Sequence, residues 1–143
     1  MGDYFGHWLK MGEKADASKL PRLFFVNWFR KNEDGQFVWP GFGDNARVLK
    51  WIVERLEGQA EAVDTPVGRV PSKAALDLSG LTLTDADLQI LLDVDADVWT
   101  EEAALIPAFY EKFGDRLPKA LWGQHAALTK RLEEARAAKL AAE

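Results

Sequence analysis

The residue types best suited to chemistry in this chain are three phenylalanines and an asparagine: Phe29, Phe37, Phe42 and Asn45. They lie in FVNWFRKNEDGQFVWPGFGDN, residues 25–45, which holds six of the fourteen Phe and Trp of the 143-residue chain. A purine base offers two π faces and an edge of donors and acceptors. Proteins bind it by laying rings on the faces and meeting the edge with an amide or a backbone group. Rings on a strand, on its return strand and in a following loop suit such a clamp. Gly41 and Gly43 flank Phe42 and remove Cβ atoms from the loop, while Asn45 carries both a donor and an acceptor at the same mouth.

Spacing alone leaves a second reading open, in which the rings are ordinary core and Asn45, or Asp44 beside it, is an N-cap. The charge pattern bears on the ligand class. The formal net charge is -5, which argues against a general nucleic-acid binder with its dominant basic face. Over residues 21–50, however, five basic side chains (Arg22, Arg30, Lys31, Arg47, Lys50) outnumber three acidic ones (Glu33, Asp34, Asp44), so a small anion is locally favoured.

The elements that must position these residues follow from periodicity and turn signals. RLFFVNWF reads as a buried strand with Phe25, Asn27 and Phe29 on one face and Phe24, Val26 and Trp28 on the other. Asp34-Gly35 predicts a turn and QFVW a return strand, a short aromatic hairpin. Helices are expected over 3–12, with Asp3 as cap and Gly12 as stop, and over 46–57, with Val48, Leu49, Ile52, Val53 and Leu56 as the apolar stripe. Residues 59–82, punctuated by Pro66, Gly68, Pro71 and Gly80, predict an irregular excursion with one or two brief strands. Further helices are expected from Thr84, over 97–113 with a kink at Pro107, and over 117–141. The class is mixed α/β, and no repeat period is present.

Several chemistries find no support. The chain has no cysteine, so disulfides, thiolate zinc sites and cysteine nucleophiles are excluded, and a reducing, cytoplasmic setting is expected. No signal pattern or long apolar run is present, which predicts a soluble, unprocessed chain. Asp93, Asp95 and Asp97 suggest the opening of a calcium loop, but Val98 and Ala104 stand where its glycine and glutamate belong. Neither His7 nor His125 has a carboxylate at metal-ligand spacing, such as i+4 on a helix, that would make a convincing site, and no metal site is assigned. Residues 128–143 read as a surface helix.

The strings VNWFRK and DGQFVWPGFGDNARVLKW resemble the C-terminal segment of the GTP-dependent phosphoenolpyruvate carboxykinases, and MGDYFGHWLKMG and TPVGRVPS look like flanking family sequence. The resemblance is dense from residue 1 to about 80 and weaker afterwards. It implies that Phe29, Phe37 and Phe42 surround guanine, that Asn45 reads its edge, and that Trp28, Trp39, Gly41 and Gly43 support the pocket. Asp44 stands where many relatives have Glu, and Ala46 where many have Ser. The implied fold is the C-terminal part of the nucleotide-binding domain. Residues 1–58 would form the guanine-pocket region, 59–82 the excursion and 83–143 a helical region.

The reaction implied for the parent enzyme is the decarboxylation of oxaloacetate and phosphorylation of the resulting enolate by GTP, yielding phosphoenolpyruvate, GDP and carbon dioxide, a gluconeogenic step. It uses Mn2+ or Mg2+ together with cationic clamps. The resemblance places those metal ligands and clamps outside this chain. The sequence contains no G-x-x-x-x-G-K-[ST], and Gly41-Phe42-Gly43 fails the G-x-G-x-x-G pattern at Ala46. The expectation is therefore a C-terminal fragment that holds the base subsite, has no catalytic residues of its own, is inactive alone and partners the remainder of the parent. The rival is a non-enzymatic assembly module that uses the aromatic face, with self-association of the chain.

Overall fold

The computed structural model describes residues 1–14 and 16–142. Its helices are α1 (Gly2–Lys14), α2 (Asn45–Leu56), α3 (Asp85–Leu92), α4 (Ala96–Glu111) and α5 (Lys119–Leu140). One antiparallel sheet pairs β1 (Val63–Thr65) with β2 (Gly68–Val70). The architecture is thus mixed and helix-rich. The chain divides into two compact units, one of Met1–Pro21 with the residues from Asp95 onward, the other of Arg22–Val94.

In the first unit α4 and α5 run in opposite directions. Asp97 at the start of α4 pairs with Arg136 near the end of α5 at 2.6 Å, Ala103 O lies 2.9 Å from His125 Nε2, and the rings of Tyr110 and Trp122 meet edge to face at 5.2 Å. Ala96, Ala103, Leu117 and Leu132 are the buried apolar side chains here. Asp95, one of the three aspartates of the calcium-like run, caps α4 by accepting from Asp97 N at 2.7 Å and Val98 N at 3.2 Å. α1 docks through Phe5 on Phe113, 5.6 Å between centroids, and through buried Gly2, where a Cβ would strike the backbone of Arg116.

The second unit is built around Val38, Trp39, Trp51, Leu76 and Leu88. Local chemistry explains both of its helices. α2 ends in a paired carbonyl cap: Gly58 N donates to Arg55 O and Gln59 N to Glu54 O, with Gly58 at φ +74°, a conformation that glycine enters without strain. α3 opens with a reciprocal box, Thr84 Oγ1 accepting from Asp87 N while the Asp87 carboxylate accepts from Thr84 N. Arg30 donates from Nη1 to the carbonyls of Ile90 and Asp93, so the segment before the turn is tied to the end of α3.

The aromatic hairpin is corrected. Residues 22–30 form no strand, and pairing with the return segment is a bridge between Lys31 and Phe37, flanked by bonds from Val38 N to Arg30 O and from Asn32 N to Gln36 O. A ladder needs a second strand along its length, and the one sheet among the described residues pairs β1 with β2 alone. The predicted alternation holds only in part: Val26 and Trp28 are half-buried and Phe25, Asn27 and Phe29 are exposed, but Phe24, expected on the same face as Val26 and Trp28, is exposed as well. The apolar stripe of α2 is likewise only partly covered, since Leu49, Val53 and Leu56 are exposed and Trp51 is the residue that the helix buries. The brief strands expected within 59–82 appear as the β1–β2 hairpin.

Candidate functional site

The residues around the Asp34-Gly35 turn assemble from the backbone outward. Asn32 O and its side-chain oxygen accept from Gly35 N and Gln36 N, closing the turn, and the Lys31–Phe37 bridge brings the flanking rings together. Phe29 and Phe37 meet at 5.9 Å with their planes 63° apart, and Lys31 Nζ lies 5.0 Å from the Phe37 centroid. Both rings face solvent, at 69% and 59% exposure. This exposure counts against the reading of these two rings as core.

Gly41 adopts φ +101°, and its carbonyl accepts from Asp44 N at 2.9 Å and Asn45 N at 3.2 Å, so the glycine turn leads straight into α2. Phe42 projects from that turn almost fully exposed, at 98%, and makes no ring contact with Phe29 or Phe37. Gly43 has open space where a Cβ would lie. Asp44 takes the N-cap position of α2 without a side-chain cap bond, and its carboxylate instead accepts from Arg47 Nε at 2.9 Å.

Asn45 begins α2 and its Oδ1 accepts from the Trp39 indole Nε1 at 2.8 Å. Trp39 itself is buried, at 6% exposure, and Trp28 is half-buried. Of the expected site residues the structure therefore joins Phe29 to Phe37 and Trp39 to Asn45, and carries Phe42 on the loop that leads into the helix of Asn45. Sequence reasoning missed two partners. Lys31 sits over the Phe37 ring, for which the local basic excess was the only signal, and Trp39 was read as packing support when it also donates a hydrogen bond to Asn45.

A neighbouring cavity of about 320 Å³ is lined by Asn32, Gln36, Phe37, Pro40 and Leu83 among others, and Phe29, Phe42 and Asn45 do not border it. Among the described residues no three His, Cys, Asp or Glu side chains gather to hold a metal ion. No helix of the described residues is long and apolar enough to cross a membrane.

Comparison with known proteins gives these features a context. Residues 1–131 match the family model described as the phosphoenolpyruvate carboxykinase C-terminal P-loop domain. The chain is 52% identical over 133 residues to phosphoenolpyruvate carboxykinase [GTP] of Arthrobacter sp. (strain FB24), which covers 93% of this chain and 22% of that protein. It is 52% identical over 136 residues to the protein of the same name from Neocallimastix frontalis, covering 94% of this chain and 22% of that one. The Renibacterium salmoninarum protein is 50% identical over 131 residues, 92% of this chain and 22% of its own length. The chain thus spans about a fifth of the length of these relatives. On a match of this extent, the chain belongs to the GTP-dependent phosphoenolpyruvate carboxykinase family, in the region of that family's C-terminal domain.

Proposed function

We propose that this chain supplies the guanine subsite of a GTP-dependent phosphoenolpyruvate carboxykinase: Phe29, Phe37 and Phe42 stack the base and Asn45 reads its edge. The observation that carries this reading is the solvent exposure of three rings beside a glycine turn, where a folded chain gains by covering them with a flat apolar ligand. Phe29 and Phe37 already touch each other, so the base lies against this pair rather than between its members, with Phe42 closing from the loop. Trp28, Trp39, Gly41 and Gly43 hold the frame.

The parent reaction would convert oxaloacetate and GTP to phosphoenolpyruvate, GDP and carbon dioxide, with Mn2+ or Mg2+ bound by residues outside this chain. The chain by itself would be inactive. Base contacts position a nucleotide but provide no charge stabilisation for a phosphoryl group in flight, and neither a phosphate-binding glycine loop nor a metal ligand cluster is present among the described residues.

The partner implied by this reading is the remainder of the family polypeptide. Two bodies of half this mass would together expose about 8,900 Å²; the chain exposes 10757 Å². The surplus fits an apolar surface built to be covered. Segment 22–29 is the natural contact, because its backbone makes no ladder among the described residues while Leu23 and Phe25 stand in solvent.

Isothermal titration with GDP and ADP tests the proposal. Saturable GDP binding in preference to ADP supports it, and indifference to both nucleotides favours the rival assembly module, for which the same exposed rings speak.

A further inference from the structure

We infer that Trp39 is the positioning residue that decides which atoms of Asn45 face a bound base, and that it thereby sets a preference for guanine over adenine. The inference rests on the nucleotide reading above and adds to it a cause of selectivity that ring stacking cannot supply, since either purine stacks.

An indole N–H donates and cannot accept. The Asn45 atom 2.8 Å from Trp39 Nε1 is therefore the carboxamide oxygen, and the two ends of the amide are fixed by chemistry and not by an arbitrary choice. Trp39 is among the most buried side chains of its unit, so its indole cannot swing away without opening a void. The other end of the lever is equally firm, because Asn45 is the first residue of α2 and its backbone N–H is bound to Gly41 O at 3.2 Å.

With Oδ1 engaged, the face that Asn45 turns outward is its NH2 group. That group has no hydrogen-bond partner among the described residues, and no buried side-chain nitrogen or oxygen there lacks one, so the NH2 reaches solvent. A donor-only group needs an acceptor on the base. Guanine presents O6 as an acceptor, whereas adenine carries an amino group at the equivalent position and would set donor against donor. Without the indole N–H, the Asn45 amide is free to turn over, offer its oxygen, and accept adenine as readily as guanine.

The test uses the full chain and calorimetric dissociation constants for GDP and ADP. Trp39→Phe keeps an aromatic ring in the core but removes the donor. The ratio of ADP to GDP dissociation constants is expected to fall by about tenfold or more, with far-UV circular dichroism unchanged. A merely structural role would weaken both nucleotides alike, and an unchanged ratio in a folded variant overturns the inference. Should Trp39→Phe unfold, Asn45→Leu decides: it keeps the side-chain volume but removes the NH2 donor, so guanine preference must be lost, and its retention overturns the donor-only premise. A wild-type chain that binds neither nucleotide overturns the parent reading as well, whereas selective binding with an insensitive ratio removes Trp39 alone.

Discussion

The rings of Phe29 and Phe37 are in contact, 5.9 Å between centroids at an interplanar angle of 63°, and this closes the gap that a base would need in order to slide between them. On the guanine reading proposed above they form one wall. Phe29→Ala and Phe37→Ala should therefore be non-additive in GDP affinity, with a coupling of about 0.5 to 3 kcal/mol in a double-mutant cycle. Additive losses would place them in separate environments.

Phe42 is a different case, being almost free of its own protein. Phe42→Ala should cost roughly 1 to 3 kcal/mol of GDP affinity, the worth of one stacked base. The thermal midpoint of the free chain should not move. A drop in stability with unaltered affinity would return this ring to a packing role.

Acid should loosen the helix starts. Asp87 is held below the ordinary aspartate value of 3.8, first by the backbone N–H of Thr84 and then by its hydroxyl. Asp95 is lowered by the backbone N–H groups of Val98 and Asp97. A carboxylate with a depressed folded-state pKa stabilises above its unfolded value, and that contribution disappears as pH falls through the folded one. Helicity by circular dichroism should be flat from neutral pH down to the carboxylate range and decline below it. The decline should be shallower in Asp87→Ala and Asp95→Ala.

Gly2 is a packing glycine. A Cβ there meets the backbone of Arg116, which has no flexible end to give way. Gly2→Ala should destabilise the chain by about 1 to 3 kcal/mol through overpacking, seen as a lower denaturation midpoint. Gly12→Ala, with nothing near its added methyl, is the control and should be neutral or mildly stabilising.

The amides of residues 23–28 should exchange with deuterium rapidly in the chain alone, because no backbone ladder protects them among the described residues. Slow exchange that depends on chain concentration would point to self-pairing.

What could be read in advance divides by the range of the interaction. α2, α3, α4 and α5 lie within a few residues of the expected bounds, and two of those boundaries are written locally, in Gly58 after α2 and Thr84 before α3. α4 also passes through Pro107 as a single helix. The strand at 22–29 failed because a strand is a relation between two segments, and period-two alternation specifies only one of them. Asn45 lay within reach of sequence reasoning, but its bond to Trp39 did not: six residues separate the pair, and the contact depends on a glycine at φ +101° bending the chain between them.

The grip of Arg30 on the carbonyls of Ile90 and Asp93 makes the ring-bearing segment mechanically dependent on a helix some sixty residues later. Fraying at the end of α3 would loosen one of the ties on Phe29, and on the guanine reading proposed above a nucleotide that immobilises Phe29 would in turn restrain that helix end. Ligand occupancy and the opening of α3 would then be coupled, and a base held by the rings should slow isotope exchange at Leu92 and Asp93 without touching either.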